Sequence, residues 1–202
     1  MTKLTREDIF KLLHRDLASK PNLSGLNLSG LNLSGLLFFS VNLSGANLTG
    51  TNLEGANFIG ANFTGANFTG ANLKVANFWL QNLEGINLKH ANLTQATLMD
   101  AKVTGADLTG AILREANVTG ANLISANLTG ADLTGADFEG AHLTNANLTE
   151  ANLTNACFVG VDLTGAKLIR AKLAKTNFTG ANLQGADLAG ADLASVFNLV
   201  MP

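Results

Sequence analysis

The residues of this chain best suited to chemistry are three histidines and one cysteine, and the sequence keeps them apart. His14, His90 and His142 are far from one another, and only His142 has a candidate carboxylate partner, Asp162. A His–Asp pair with no Ser or Cys nucleophile set against it does not form a catalytic triad. Cys157 has no basic residue beside it, so we expect an inert thiol. The sequence therefore predicts no catalytic residues.

Bound metals and cofactors are not indicated either. The His, Cys, Asp and Glu residues show no metal-ligand spacing. The 21 glycines are separated by multiples of five residues, and none opens a helix as in a phosphate-binding loop. We therefore predict no metal, no cofactor and no enzyme activity.

These residues belong to a five-residue repeat that runs from Pro21 to Ser195 without insertion or deletion, in 35 pentads. The central residue of each pentad is Leu, Phe or Val. The residue two before the central one is mostly Ala, and the residue directly before it is Asn or Asp in 27 pentads. The residue directly after it is usually Ser or Thr. Such a strict short period predicts a solenoid, because one unit is too small to fold alone. The alternation places Ala and the central residue inside the solenoid.

The last position of each pentad, the corner, holds every Gly of the chain. Val75 and Leu80 also occupy corners. Because a β-branched residue rarely adopts a positive φ, we predict that the corner favours Gly for close packing or flexibility and does not require left-handed backbone geometry.

A second period of 20 residues indicates four pentads per coil. Opposite charges recur at this spacing, in the pairs Glu54/Lys74, Glu150/Arg170, Lys167/Asp187 and Lys172/Asp192. Residues in the same slot of adjacent coils are about 4.8 Å apart, so like charges there would repel. Six of the eight central Phe residues form one series at this spacing, which predicts an internal stack along one side: Phe38, Phe58, Phe78, Phe138, Phe158 and Phe178.

The A-(N/D)-(L/F)-X-X pattern resembles that of the pentapeptide repeat proteins over residues 21–195. The resemblance implies an all-β solenoid, a right-handed quadrilateral β-helix, whose handedness comes from the resemblance alone. Dividing 35 pentads by four gives just under nine coils. The resemblance also implies that family members that dimerise do so through their C-terminal ends.

The segment 1–20 precedes the repeat and is predicted to contain a capping helix over residues 5–18. Thr5 is placed as the N-cap, with Asp8 three residues on. The helix has an apolar stripe, widened by Phe10, which we expect to cover the open first coil: Ile9, Leu12, Leu13 and Leu17. The alternative is that the helix binds a partner.

The segment 196–202 is an apolar tail in which we expect the repeat register to fail. It is predicted either to fold over the last coil as a lid or to form a tail-to-tail dimer contact, so both a monomer and a dimer stay open.

Composition favours a cytoplasmic protein without membrane segments. The chain has 202 residues, a formal net charge of −2 and one Cys, which excludes an intramolecular disulfide. It has no apolar run of 18 residues and no basic-then-apolar signal-peptide layout at its start. Thirteen Asn-X-Ser/Thr sequons would risk glycosylation on a eukaryotic secretory route, so a prokaryotic protein is the simpler interpretation.

One outer row is the candidate protein-binding site. On the side that carries the Phe stack, the position after the central residue is Phe39, Ile59, Trp79 and Met99 in successive coils. This row, the strip, would be about 15 Å long, and Leu37 and Leu80 adjoin it. Aromatic and Met side chains exposed in a row mark interaction sites. The alternative is that the N-terminal helix or a loop covers them.

The middle coils depart most from the repeat, through drift or through selection for binding. Between Lys74 and Lys102 the departures are Val75, Trp79, Leu80, Gln81, Ile86, His90, Gln95, Thr97, Met99 and Asp100.

Three functions stay open. The first is a regulatory scaffold, of the cyanobacterial type that the chain resembles, which binds a protein partner through the strip and binds no nucleic acid. The second is a DNA mimic that inhibits or protects DNA gyrase or topoisomerase, as the resemblance implies for some members. The third is ice binding by an outward ladder that Lys89 and Ile169 interrupt: Thr49, Thr69, Thr109, Thr129 and Thr149.

Overall fold

A computed structural model describes residues 4–14 and 20–199. Helix α1 spans Arg6–His14 and is followed by a four-sided coil. Parallel single-residue bridges join each coil to the next at a spacing of 20 residues, as in Asn47↔Asn67. In the described ranges no pairing lengthens into a regular strand, because a turn ends each side after one bridge. The predicted four pentads per coil are confirmed.

Backbone hydrogen bonds between adjacent coils form a ladder on each side of the coil. The Leu23 N–H donates to the Asn42 carbonyl at 2.8 Å, and the Gly25 N–H donates to the Ser44 carbonyl at 2.8 Å. In the reverse direction the Asn42 N–H donates to the Pro21 carbonyl at 2.9 Å. Each pentad therefore supplies three inter-coil bonds, which fix the register at 20 residues.

The corner residues have a positive φ, in the left-handed region of backbone conformation. The prediction that the corner does not require this geometry is therefore wrong. The Gln81 N–H donates to the Phe78 carbonyl at 3.0 Å and closes a turn whose third residue, Leu80, has a φ of 58°. A positive φ at this position alone is typical of a type II turn. Val75 adopts a φ of 57°. Ladder and turn bonds on both sides of the corner outweigh a strain of about 1–3 kcal/mol.

The Asn or Asp before each central residue holds the backbone of the following turn. The Asn47 Oδ1 atom accepts the Thr49 N–H at 3.1 Å and the Thr49 hydroxyl at 2.7 Å. The hydroxyl and the N–H of Thr164, both donated to the carboxylate, lower the pKa of Asp162. This contact explains why Asn or Asp and Ser or Thr recur together in the repeat.

The interior is filled by the central residues and the Ala side chains between them. Phe58 stacks on Phe38 and Phe78 with ring centroids 5.2 and 4.9 Å apart, and Phe138 stacks on Phe158 at 4.8 Å. These rings are fully buried. The predicted stack is therefore internal, and the side of the coil that carries it is called the Phe face below.

Helix α1 begins as predicted. The Thr5 N–H donates to the Asp8 carboxylate at 2.8 Å, and the Asp8 N–H donates to the Thr5 hydroxyl at 3.2 Å. Phe10 does not widen the apolar stripe, because it lies on the exposed side of the helix and stacks on His14. The predicted helical residues from position 15 on, Leu17 among them, lie outside the described residues.

Helix α1 packs on the first coil and binds its open edge. Ile9 is fully buried, and beside it are partly buried Leu4, Leu12 and Leu13. The Arg6 guanidinium donates to the carbonyls of Asn32 at 3.0 Å and Ser34 at 2.9 Å. In later coils the equivalent carbonyls accept ladder bonds from the preceding coil, so Arg6 supplies the donors that a preceding coil would supply.

The coil continues beyond the predicted end of the repeat. The Phe197 N–H donates to the Thr176 carbonyl at 2.9 Å, and the Phe197 carbonyl accepts the Phe178 N–H at 3.0 Å. The prediction that the register fails after Ser195 is therefore wrong for the ladder, although Ser195 itself is not a left-handed corner. The remaining tail, residues 200–202, lies outside the described residues.

We expect Phe138→Ala to lower the free energy of unfolding by about 3–5 kcal/mol, because the narrow interior cannot collapse around the void. Phe138→Leu, which installs the commonest central residue, should cost less than about 1.5 kcal/mol. Denaturant melts of both variants measure the difference. A loss below about 1 kcal/mol for Phe138→Ala would show that the ring contributes little to the core.

Candidate protein-binding surface

The strip lies on the surface of the Phe face. Phe39, Ile59 and Trp79 expose 45, 36 and 42% of their area, and Met99 is partly buried. Because these residues occupy the same slot of successive coils, their side chains are spaced about 4.8 Å apart along the rod. The strip is therefore strongest over its first three members.

Further apolar side chains widen the strip. Of the nine large apolar side chains that are exposed among the described residues, six lie here, and we call them the apolar patch: Leu37, Phe39, Ile59, Val75, Trp79 and Leu80. Val75 and Leu80 are corners on either side of Trp79 and expose 56 and 57% of their area. The sequence predicts that Leu37 and Leu80 adjoin the strip. Val75 is predicted only as a departure from the repeat, although its apolar character at an outward position was a usable signal.

The apolar patch lies on a nearly neutral surface. Over its first four coils the Phe face carries one charged residue, Asp100. The backbone beneath the patch is held by the usual contacts, since Asn57 Oδ1 accepts the Ile59 N–H at 3.2 Å and Asn77 Oδ1 accepts the Trp79 N–H at 3.0 Å. The apolar side chains are thus presented by a regular scaffold.

The described part of helix α1 leaves the patch uncovered. Its long polar contacts run from Arg6 to Asn32 and Ser34, on the side of the coil that precedes the Phe face. Phe39 and Trp79 keep their exposure in the presence of the helix.

The residues considered for chemistry are not assembled into a site. His142 and Asp162 share a backbone bridge, but the Asp162 carboxylate accepts the Thr144 hydroxyl at 3.0 Å and the two donors of Thr164. Burial raises the pKa of the Cys157 thiol. Within residues 4–14 and 20–199 no three His, Cys, Asp or Glu side chains are grouped to hold a metal, and no helix is long and apolar enough to cross a membrane.

Charged residues of adjacent coils pair partly as predicted. Glu150 and Arg170 approach to 3.4 Å, whereas the other three pairs predicted at a spacing of 20 stay beyond 4.0 Å among the described side chains. Two further ion pairs join residues 18 apart, which are Lys89–Asp107 at 3.1 Å and Arg114–Asp132 at 2.6 Å.

The four-sided ladder, the left-handed corners and the filled interior define a β-solenoid built from five-residue units. The family model for pentapeptide repeats matches the chain in eight copies, over residues 22–55, 42–79, 76–114, 104–140, 126–165 and 162–196. The chain belongs to the pentapeptide repeat family. Proteins of this family adopt a right-handed quadrilateral β-helix, which gives the handedness of the coil.

Solved structures of other pentapeptide repeat proteins are similar to the chain. A trypsin-treated form of QnrB1, a plasmid-mediated fluoroquinolone resistance protein, is 20% identical, with 87% of this chain and 85% of that chain covered and a TM-score of 0.62. HetL of the cyanobacterium Nostoc, involved in regulation of heterocyst differentiation, is 27% identical, with 96% and 97% covered and a TM-score of 0.43. The likeness to QnrB1 supports the fold. No curated protein sequence matches the chain.

We expect Leu80→Gly to raise the free energy of unfolding by about 1 kcal/mol. Glycine adopts a positive φ without strain, and the exposed Leu80 side chain loses little burial when it is removed. Leu80→Ala is the matched control, because it removes most of the side chain and keeps the strain. Thermal or denaturant melts in which Leu80→Gly is less stable than Leu80→Ala would contradict the expectation.

Proposed function

We propose that this protein is a non-enzymatic scaffold with a regulatory role, which binds another protein through the apolar patch. The observation that carries the proposal is the concentration of exposed large apolar side chains, including Trp79, on one neutral side of an otherwise polar rod. Contiguous exposed apolar patches mark interaction sites, and Trp is enriched among the residues that dominate binding energy.

The strained corners beside Trp79 support the same proposal. Val75 and Leu80 hold a positive φ that glycine would adopt at lower cost, and both side chains point into solvent. Eleven other non-glycine corners of the described chain hold a positive φ, but their side chains are polar or charged, so Val75 and Leu80 differ from them in being large and apolar. Lys74 and Asp100 flank the patch as exposed charges, so a partner with an apolar centre and a polar rim fits it.

DNA mimicry directed at gyrase or topoisomerase is the second candidate, favoured by the fold that the chain shares with QnrB1. The charge distribution opposes it, because the repeat carries twelve acidic against eight basic residues. The carboxylates of Asp107 and Asp132 are also paired with Lys89 and Arg114. A mimic of duplex DNA needs about one unpaired negative charge per 1.7 Å.

Ice binding is the weakest candidate. Several hydroxyls of the threonine ladder are donated inward to the Asn or Asp two residues before them, as at Thr49, Thr69, Thr109 and Thr129. Lys89 and Ile169 interrupt the ladder.

The oligomeric state and location belong to the same proposal. Leu193 and Phe197 are exposed at the C-terminal end of the coil, which suits either a monomer whose last residues cover them or a tail-to-tail dimer. A cytoplasmic location fits a regulatory scaffold.

We expect no inhibition of DNA supercoiling by gyrase at micromolar protein and physiological salt, because the acidic residues are sparse and partly paired. A supercoiling assay over a protein titration measures this. Inhibition that Asp132→Asn or Asp137→Asn abolishes would establish the mimic in place of the scaffold.

We expect Trp79→Ala to leave the melting temperature nearly unchanged, because an exposed side chain adds little to the core. The same change should weaken partner binding or self-association by about 2 kcal/mol or more, because Trp is enriched among the residues that dominate binding energy. Affinity capture from the source organism and sedimentation compare the variant with the wild-type protein. Thr179→Ala, in the same slot of a later coil, is the control.

The two measurements on Trp79→Ala separate binding from folding. A sharp fall in melting temperature with unchanged binding would place Trp79 in the structure of the rod, and the patch would then not be the binding site.

A further inference from the structure

The longest gap in the ladder among the described residues lies beside the apolar patch. Between residues 60–66 and 79–87, five consecutive inter-coil bonds that the repeat pattern calls for are missing within the described chain. The bridge between Asn62 and Asn82 is missing as well, although pairing is intact on both sides, at Asn57↔Asn77 and Asn67↔Asn87. The donors left without a ladder bond are the N–H groups of Gly60, Phe63, Gly65, Asn82 and Asn87.

Interior side chains that are larger than usual account for the opening. Phe63 is the one Phe at the centre of its side of the coil, and its ring lies 5.3, 5.7 and 5.8 Å from those of Phe58, Phe68 and Phe78. In the next coil Gln81 and Ile86, both buried, occupy two neighbouring positions that usually hold Ala. Side chains larger than a packed interior accommodates shift the backbone, and here the two coils part.

The opening is a cleft with unpaired backbone groups. Its volume is about 260 Å³, and Asn62, Phe63, Asn82, Leu83 and Glu84 are among the residues that line it. Within the described structure the N–H groups of Phe63 and Gly65 have no acceptor, and the carbonyls of Asn82 and Glu84 have no donor. Backbone groups left without partners are costly when shielded from water, so they favour an occupant that pairs with them.

The missing ladder bonds begin at the edge of the apolar patch. The first missing bond would join the Gly60 N–H to the Trp79 carbonyl, directly beside the side chains of Ile59 and Trp79. The Gln81 side-chain amide donates to this carbonyl at 2.8 Å and replaces the lost ladder bond. The Trp79 backbone is thereby held in place next to the missing bonds.

We propose that the cleft and the patch together bind one extended segment of a protein partner, which pairs its backbone with the cleft and lays apolar side chains on the patch. This inference rests on the proposed scaffold function and specifies how the partner is recognised. Among the unpaired groups, the donors of Phe63 and Gly65 are two residues apart, as are the acceptors of Asn82 and Glu84. Alternate residues of an extended peptide present backbone groups at this spacing, and strand addition uses the same pairing.

The test compares the wild-type protein with a closed variant that carries Phe63→Leu, Gln81→Ala and Ile86→Ala, each the usual residue of its position. Phe138→Leu, at a coil where the ladder is intact, is the matched control. By amide hydrogen exchange, the Phe63, Gly65 and Asn82 amides should exchange at least tenfold faster in the wild type than in the closed variant, and Phe138→Leu should match the wild type. Equal protection in the wild type and the closed variant would overturn the inference. Phe63→Leu alone serves if the triple variant fails to fold.

The binding probe is a displayed library of random twelve-residue peptides selected on the wild-type protein. Selected peptides should bind the closed variant at least tenfold more weakly, and N-methylation of their backbone should weaken binding to the wild type. Equal affinity for both proteins, or the recovery of no peptide, would overturn the inference. Trp79→Ala separates the two proposals. Peptides that lose affinity for Trp79→Ala but bind the closed variant as tightly as the wild type support the patch and exclude the cleft, whereas peptides indifferent to Trp79→Ala contradict the proposed scaffold function.

Discussion

The backbone ladder between successive coils is the constraint on which the rest of the structure depends. Every coil must meet the next in a register of 20 residues, because each side contributes only one bridge and three bonds before the chain turns. An inserted residue would have to bulge out of its coil or disrupt the pairing of that coil with its neighbours, and the repeat contains none from Pro21 to Ser195. The same register places side chains in rows, so a few apolar substitutions in one slot create a continuous surface.

The sequence predicts the period and the interior better than the backbone of the corner. The Phe series at a spacing of 20 predicts the four-sided coil and its internal stack, because burial selects side chains directly. The corner prediction is wrong because Val75 was judged by its intrinsic preference. The hydrogen bond of the turn and the ladder bonds beside it fix the φ of Val75 at 57°, and the ladder bonds form only when the coils are stacked.

The candidate site, too, is predicted only in part from the sequence. The exposure of Phe39, Ile59 and Trp79 follows from their slot, so these three residues are predicted from the sequence. The cleft could not be predicted, although Gln81 and Ile86 were recognised as departures from the repeat. Its opening depends on the summed volume of these two side chains and of Phe63 across two coils, and no single pentad contains that information.

A solenoid with a complete ladder offers a partner only side chains, since all of its backbone groups along the sides are already paired. Opening the ladder at one place changes this, because it exposes donors and acceptors in the geometry that an extended chain recognises. The local cost is limited, since the Gln81 amide satisfies the Trp79 carbonyl and the bonds resume at Phe68. The opening lies beside the one Trp of the chain, so apolar contacts and backbone pairing are available next to each other on the rod. A partner segment would therefore meet a surface that needs little reorganisation to bind it.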